Sequence, residues 1–244
     1  MIPSLNGRAF KLMQVAPVSG CLVEFGVYKG AGIIAFSRLA RQFLGSVPPL
    51  YGFDSFGGMP PTSVPLQNGC STDWASGTFA DTSLEGVERR LSDEGVQAKL
   101  VKGIFTNLKP LGEYGIDRIR FAHIDADIYE GYRDALRLIT PHVQVGTVIL
   151  FDESMPPTDH RYQSIRFHGK RAVEEWENAT GLNLHLIRFE WTVALCVVVD
   201  EAYLTHYAPA IVRLRQDNWR ESIENIIRRM IERYRRFFKV SDTC

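Results

Sequence analysis

The stretch RIRFAHIDADIYEGYRDALRLITPHVQVGTVILFDE, residues 118–153, decides the architecture. An apolar run at 118–125 leads into a helix-period segment over 129–140, and a second apolar run follows at 145–153. Two apolar strands joined by an amphipathic helix form a βαβ unit, and such units build parallel sheets covered on both faces. The alternation extends upstream. CLVEFGV (21–27), LYGFDSF (50–56) and AKLVKGIF (98–105) read as strands, with helix-period segments at 30–44 and 81–95. Downstream, a helix at about 169–180 precedes NLHLIRFEW (183–191) and VALCVVVD (193–200). Two consecutive strands with a short link read as an antiparallel terminal hairpin. The expected fold class is therefore α/β, a doubly wound, Rossmann-like, seven-stranded and mostly parallel sheet.

Length and composition agree. The 244 residues suffice for one α/β domain, and a 45% hydrophobic fraction supports a real core. No stretch approaches 18 uncharged apolar residues, which excludes a transmembrane helix. The N-terminus MIPSLNGRAFKLMQ lacks the apolar region of a signal peptide. Basic and acidic residues balance at 28 each, which argues against a nucleic-acid partner. Cys21, Cys70, Cys196 and Cys244 form no CxxC pair, so zinc is not expected and a reducing, cytoplasmic setting is.

The charge is unevenly placed. Residues 211–240 hold nine basic and four acidic side chains. Within DNWRESIENIIRRMIERYRRFFKV (217–240), Trp219, Ile223, Ile227, Met230, Tyr234 and Phe238 recur at helical spacing among arginines. The expected division is a domain over 1–205 and a basic amphipathic helical extension over 206–244. That helix would pack on its own domain or in a homo-oligomer, lie on an anionic membrane, or bind a partner.

The chemistry-bearing residues fall at predicted strand tips. EFGVYKGAG (24–32) joins strand one to a helix, with glycines that permit a tight turn and close backbone approach of a ligand. It departs from the GxGxxG dinucleotide fingerprint. Asp54 ends strand two, where doubly wound folds read a ribose diol. Asp125 and Asp127 follow strand four, on one face if the strand continues. Asp152 and Glu153 follow strand five. Parallel strands bring these four carboxylates to one rim, where they repel one another unless a hard divalent cation relieves them. N-capping of the following helices is the competing role. Residues 57–80, rich in Gly, Pro and Ser yet carrying Met59, Trp74 and Phe79, read as a lid.

These runs together carry a family resemblance. LVEFGVYKGAG, LYGFDSFGGMP, VKGIF and FAHIDADIYEGYRDALRLITPHVQVGTVILFDE resemble the macrocin O-methyltransferase (TylF/MycF) family over roughly residues 20–200. Members are class I, metal-dependent methyltransferases that use S-adenosylmethionine on sugar hydroxyls of natural products. The resemblance implies that Glu24, Gly26, Val27 and Gly30 line the methionine side of the cofactor. It implies that Asp54, Ser55 and Phe56 hold the ribose and that Gly103, Ile104 and Phe105 approach the adenine. Asp125, Asp152 and Glu153 would bind Mg2+, and Asp127 would be the base, with His123 and His160 as alternatives. The family pattern has Asp where this chain has Glu153. A small-molecule acceptor, a sugar or polyol hydroxyl, follows as the expected partner. Two other functions stay open: an O-methyltransferase acting on a catechol-like phenol, and a binding module for S-adenosylmethionine without transfer activity.

Overall fold

Seven strands order as β3-β2-β1-β4-β5-β7-β6 in a single sheet. They are β1 (Cys21–Phe25), β2 (Leu50–Asp54), β3 (Lys99–Lys102), β4 (Ile119–Ile124), β5 (Val148–Phe151), β6 (Asn183–Glu190) and β7 (Val193–Val199). The computed structural model describes residues 4–63, 75–152, 163–190 and 193–215, with side chains left aside at 163–168. The first five strands pair in parallel, and β7 runs antiparallel between β5 and β6. The expected sheet is thus the observed one. β7 lies inside β6, so the terminal hairpin places its second strand against the parallel core.

The helices are α1 (Leu5–Val15), α2 (Ala31–Leu44), α3 (Leu84–Asp93), α4 (Tyr129–Ile139), α5 (Gln163–Thr180) and α6 (Glu201–Arg215). The central strands β1 and β5 are buried at every position, as continuous apolar runs covered on both faces must be. On one face, Phe10, Leu12 and Met13 of α1 and Ile33, Phe36 and Ala40 of α2 pack against Leu22, Phe121 and Val148. On the other, Tyr132, Leu136 and Ile139 of α4 and Trp176 of α5 pack against Val23, Phe25, Ile124 and Ile149. The spacing of the α2 and α4 residues is the i, i+3, i+4 pattern that marks one helical face.

Three expectations shift in detail. The run AKLVKGIF is a strand only over Lys99–Lys102, and Phe105–Asn107 forms a 3-10 turn. Helix α1 went unpredicted; Ser4 caps it by accepting from the Gly7 amide, and its apolar face includes Leu5, Phe10 and Met13. Residue 205, where the domain division was expected, falls inside α6. The basic segment 217–240 and the loop centre at 64–74, including Trp74 and Cys70, lie outside the described residues.

Candidate active site

The strand ladder continues one residue beyond each strand at a single edge. Gly26 N donates to Phe53 O at 2.9 Å, Asp125 N to Phe25 O at 2.9 Å, Asp152 N to Ile124 O at 3.0 Å and Gly103 N to Asp54 O at 2.8 Å. This stitching carries Gly26, Asp54, Gly103, Asp125 and Asp152 to one rim, where they line a cavity of about 640 Å³. The close fit requires glycine at position 26. Its φ is +92°, and a Cβ there would sit 1.9 Å from the Asp125 carbonyl oxygen.

Asp54 organises the turn after β1. Its Oδ2 accepts from the Val27 and Tyr28 amides at 2.8 Å each, and its Oδ1 from the Phe56 amide at 2.6 Å. An ionised carboxylate has about four lone-pair sites, so the clamp leaves room for a ligand hydroxyl. Val27 and Phe56 contribute these amides while their side chains pack in the core. Ser55 lines the cavity. Gly30 precedes α2 in a left-handed conformation, and a Cβ on it would press on Val87 of α3.

Glu24 lies below this surface. It is 2% exposed, faces the α2 side of the sheet, and sits against the first turn of α2, where a Cβ on Gly32 would meet its Oε1 at 1.8 Å. Its register partner on β4 is His123, whose Nδ1 is 3.0 Å from Glu24 Oε1. Burial pushes the Glu24 carboxyl above its ordinary range, against the pull of His123. Burial would lower His123, yet its bond to Glu24 outweighs that and raises it. Both directions favour a proton retained within the pair. Neither residue lines the cavity, so Glu24 supports the floor rather than forming a wall.

The carboxylates come together by a turn rather than by a continuing strand. β4 ends at Ile124, and Asp127 takes a left-handed conformation, φ +56°. Aspartate tolerates that region better than most residues. Helix α4 begins after Ile128 with no side-chain cap, so Asp127 is not an N-cap. Asp125, Asp127 and Asp152 all line the cavity. Burial, and then the neighbouring Asp152 charge, hold Asp125 well above the usual carboxylate range. Glu153 and His160 lie outside the described residues.

Several lining residues escaped the sequence reading of the site. Thr106, Asn107, Glu130 and Asp134 add polar groups, and Tyr28, Pro60 and Pro61 join Met59 and Phe79 in an apolar wall. Among the described residues, the four non-glycine residues with positive φ are Tyr28, Phe56, Phe79 and Asp127. Tyr28, Phe79 and Asp127 line this cavity and Phe56 follows two residues after Asp54, and strained backbone concentrates where a site over-determines it.

Glu130, on the first turn of α4, ties down the start of the 57–80 loop. It accepts from Thr62 Oγ1 at 2.8 Å, Ser63 N at 2.8 Å and Ser63 Oγ at 2.6 Å. Burial alone would raise its pKa, but Ser63 and Thr62 together pull it from 4.5 to about 2. A depressed folded-state pKa means stability that is present above about pH 4.5 and lost as pH falls toward 2. Glu130→Gln should cost about 1 kcal/mol at neutral pH, after allowing for solvent screening. Urea unfolding should show that gap between parent and variant at pH 7 and a smaller gap at pH 3. A gap that stays constant with pH would remove the charge from this tie.

The profile of the macrocin-O-methyltransferase (TylF) family matches residues 7–196. A relative from Streptomyces olivaceus, 8-demethyl-8-(2,3-dimethoxy-alpha-L-rhamnosyl)-tetracenomycin-C 4'-O-methyltransferase, is 28% identical over 142 residues, which is 56% of this chain and 53% of the relative. The chain thus spans about half the length of the curated relative it matches. The solved O-methyltransferase NovP superposes with a TM-score of 0.64 at 23% identity, covering 80% of this chain and 79% of that one. CalS11, a calicheamicin methyltransferase, superposes at 0.60 with 22% identity, covering 79% and 77%. Its apo form, a TDP-rhamnose 3'-O-methyltransferase, gives 0.52 at 22% identity, covering 79% and 78%. At these identities the structural likenesses establish the fold.

Proposed function

The chain belongs to the macrocin-O-methyltransferase (TylF) family, and from that premise we propose that it transfers the methyl group of S-adenosylmethionine to a sugar hydroxyl of a small natural product. The observation that carries this reading is one cavity walled by an Asp54-clamped glycine turn on one side and by Asp125, Asp127 and Asp152 on another. The matched relative methylates a sugar by its name.

Each residue then has a task. Asp54 presents its remaining lone pair to one ribose hydroxyl, and the 103–107 segment forms the adenine wall. Methyl transfer forms an O–C bond and breaks an S–C bond, the electron pair leaving with sulfur. The acceptor must lose a proton, and Asp127, which lines the cavity, is our assignment for the base that takes it. The rigid rim supplies alignment of acceptor oxygen, methyl carbon and sulfur, which is most of what this reaction needs.

The donor set suits a divalent cation. Asp125 and Asp152 are oxygen donors at one cavity, and the Asp152 charge helps hold the Asp125 carboxyl above its usual range, a strain a hard cation relieves. They would hold Mg2+, with Glu153 as the third donor proposed from the sequence. When bound, the ion supplies Lewis-acid polarisation of the acceptor hydroxyl. Among the described residues no group of three His, Cys, Asp or Glu side chains forms a metal cluster.

No helix among the described residues is long and apolar enough to cross a membrane. Cys21 and Cys196 are buried free thiols. A cytoplasmic site of action fits this usage.

The test is incubation with labelled S-adenosylmethionine, with and without EDTA, against glycosides and catechols. Label should enter a glycoside, and chelation should abolish its transfer. Label entering only catechols would overturn the sugar assignment, and turnover unaffected by EDTA would overturn the metal.

A further inference from the structure

Helix α4 buries a charged side chain that helix formation does not require. Asp134 is 3% exposed in the middle of α4, and aspartate is a poor helix former. A buried carboxylate is tolerated when it is paired and hydrogen-bonded. Arg133 Nε donates to Asp134 Oδ1 at 3.0 Å and Arg133 Nη2 to Oδ2 at 3.1 Å, and Arg137 Nε lies 3.9 Å from Oδ1. One more donor comes from outside the helix. Thr106 Oγ1, 28 residues earlier in the chain, donates to Asp134 Oδ2.

The sheet places Thr106 beside the Asp54 clamp. Lys102 of β3 is the register partner of Asp54 on β2. Gly103 N then donates to the Asp54 carbonyl at 2.8 Å, and Phe105–Asn107 forms its 3-10 turn next along the chain. The Phe105 ring is fixed against Phe25, edge to face, with centroids 5.2 Å apart. Ile104 and Thr106, on either side of it, are exposed and line the cavity. This wall therefore offers a ligand one apolar surface and one hydroxyl.

The polarity of that hydroxyl is fixed by its partner. A threonine hydroxyl has one hydrogen and two lone pairs. An ion-paired carboxylate only accepts, so the Thr106 hydrogen is committed to Asp134. Lone pairs are what Thr106 has left for a ligand. They match a donor and repel an acceptor. Adenine carries a donor, its exocyclic amino group, where hypoxanthine carries a carbonyl acceptor on a ring of the same shape.

We propose that Thr106 reads the exocyclic amino group of the cofactor's adenine, and that Asp134 is the positioning residue that fixes the polarity of the contact. This rests on the S-adenosylmethionine reading above and names the residues that select the base.

The test is calorimetry on the full chain with S-adenosylhomocysteine and with S-inosylhomocysteine, its 6-oxo counterpart. The parent should bind the adenosyl form about 50-fold more tightly, because the inosyl form turns a carbonyl toward fixed lone pairs. Thr106→Val keeps the side-chain shape and removes the lone pairs. It should weaken S-adenosylhomocysteine about tenfold, leave S-inosylhomocysteine unchanged and narrow the preference to about fivefold. Thr106→Ser keeps the hydroxyl and should keep the preference. Asp134→Asn can donate to Thr106 from its amide, which frees the threonine hydrogen for the cavity. That variant should lose the preference or favour the inosyl form. Should it fail to fold, the exposed Thr106 decides the matter alone. A tie that is merely structural would weaken both ligands together. A Thr106→Val protein that does so, or a serine variant without the preference, would overturn the reading of Thr106 and leave S-adenosylmethionine binding in place. A folded Asp134→Asn protein with the parent's preference would overturn the role of Asp134. A parent that binds neither ligand would overturn both readings together.

Discussion

Asp125→Asn, and separately Asp152→Asn, should lower methyl transfer by about 10³-fold or more, the scale expected when a cation's several kcal/mol of transition-state stabilisation is lost. Cofactor affinity should stay within about threefold, because on the proposed reading the metal these side chains hold would contact the acceptor rather than the ribose. The geometry adds a second expectation that a simple loss of fold would contradict. Asp125 is held above the usual carboxylate range by burial and by Asp152. Neutralising one member removes a like-charge repulsion in a poorly solvated place. In EDTA, each variant should therefore melt at or above the temperature of the parent. Calorimetry with S-adenosylhomocysteine, turnover assays and thermal melts in chelator check the three parts. A variant that melts lower and binds cofactor weakly would show that the pair is structural.

Asp54→Ala should weaken S-adenosylhomocysteine binding by about 10- to 100-fold, which is about 1–3 kcal/mol. The same change strands the amides of Val27, Tyr28 and Phe56, which now share one carboxylate. Stability should fall by about 1–3 kcal/mol as well, since unpaired amides beside a part-buried turn carry a desolvation cost. Asp54→Asn separates the two effects. It keeps one acceptor oxygen and turns a donor toward amides that need an acceptor. It should lie between the parent and the alanine variant in both measurements. Unchanged affinity in a folded Asp54→Ala protein would remove Asp54 from the ribose site and leave it only the clamp.

The arrangement around Asp54 shows where sequence reading reaches its limit. Its place at the tip of β2 was legible from the apolar run that precedes it. Its three amide bonds were not, because they depend on a turn between residues 26 and 30 whose shape no periodicity encodes. Glu24 was legible as a strand-end carboxylate, but its burial against α2 and its pairing with His123 required the register of β1 on β4. Asp127 would share a face with Asp125 only on a continuing strand. The chain instead bends there, since aspartate accepts the left-handed region at φ +56°. Tyr28 and Phe79 are 51 positions apart in the chain and meet only in the folded structure.

The sequence by itself determined the alternation of strands and helices, the parallel core with its terminal antiparallel pair, and the edge at which the carboxylates gather. Those follow from local periodicity and from the handed, short connections of βαβ units, both of which act over neighbouring residues. Tertiary structure decided which carboxylates face the cavity and which sit beneath it. It also decided that Glu130 ties down Thr62 and Ser63, and that Tyr28 and Phe79 meet at the cavity the carboxylates line. The physical reason is that burial, hydrogen-bond satisfaction and charge–charge repulsion act between groups far apart in the chain. Their outcome exists only once the sheet has fixed its strand order.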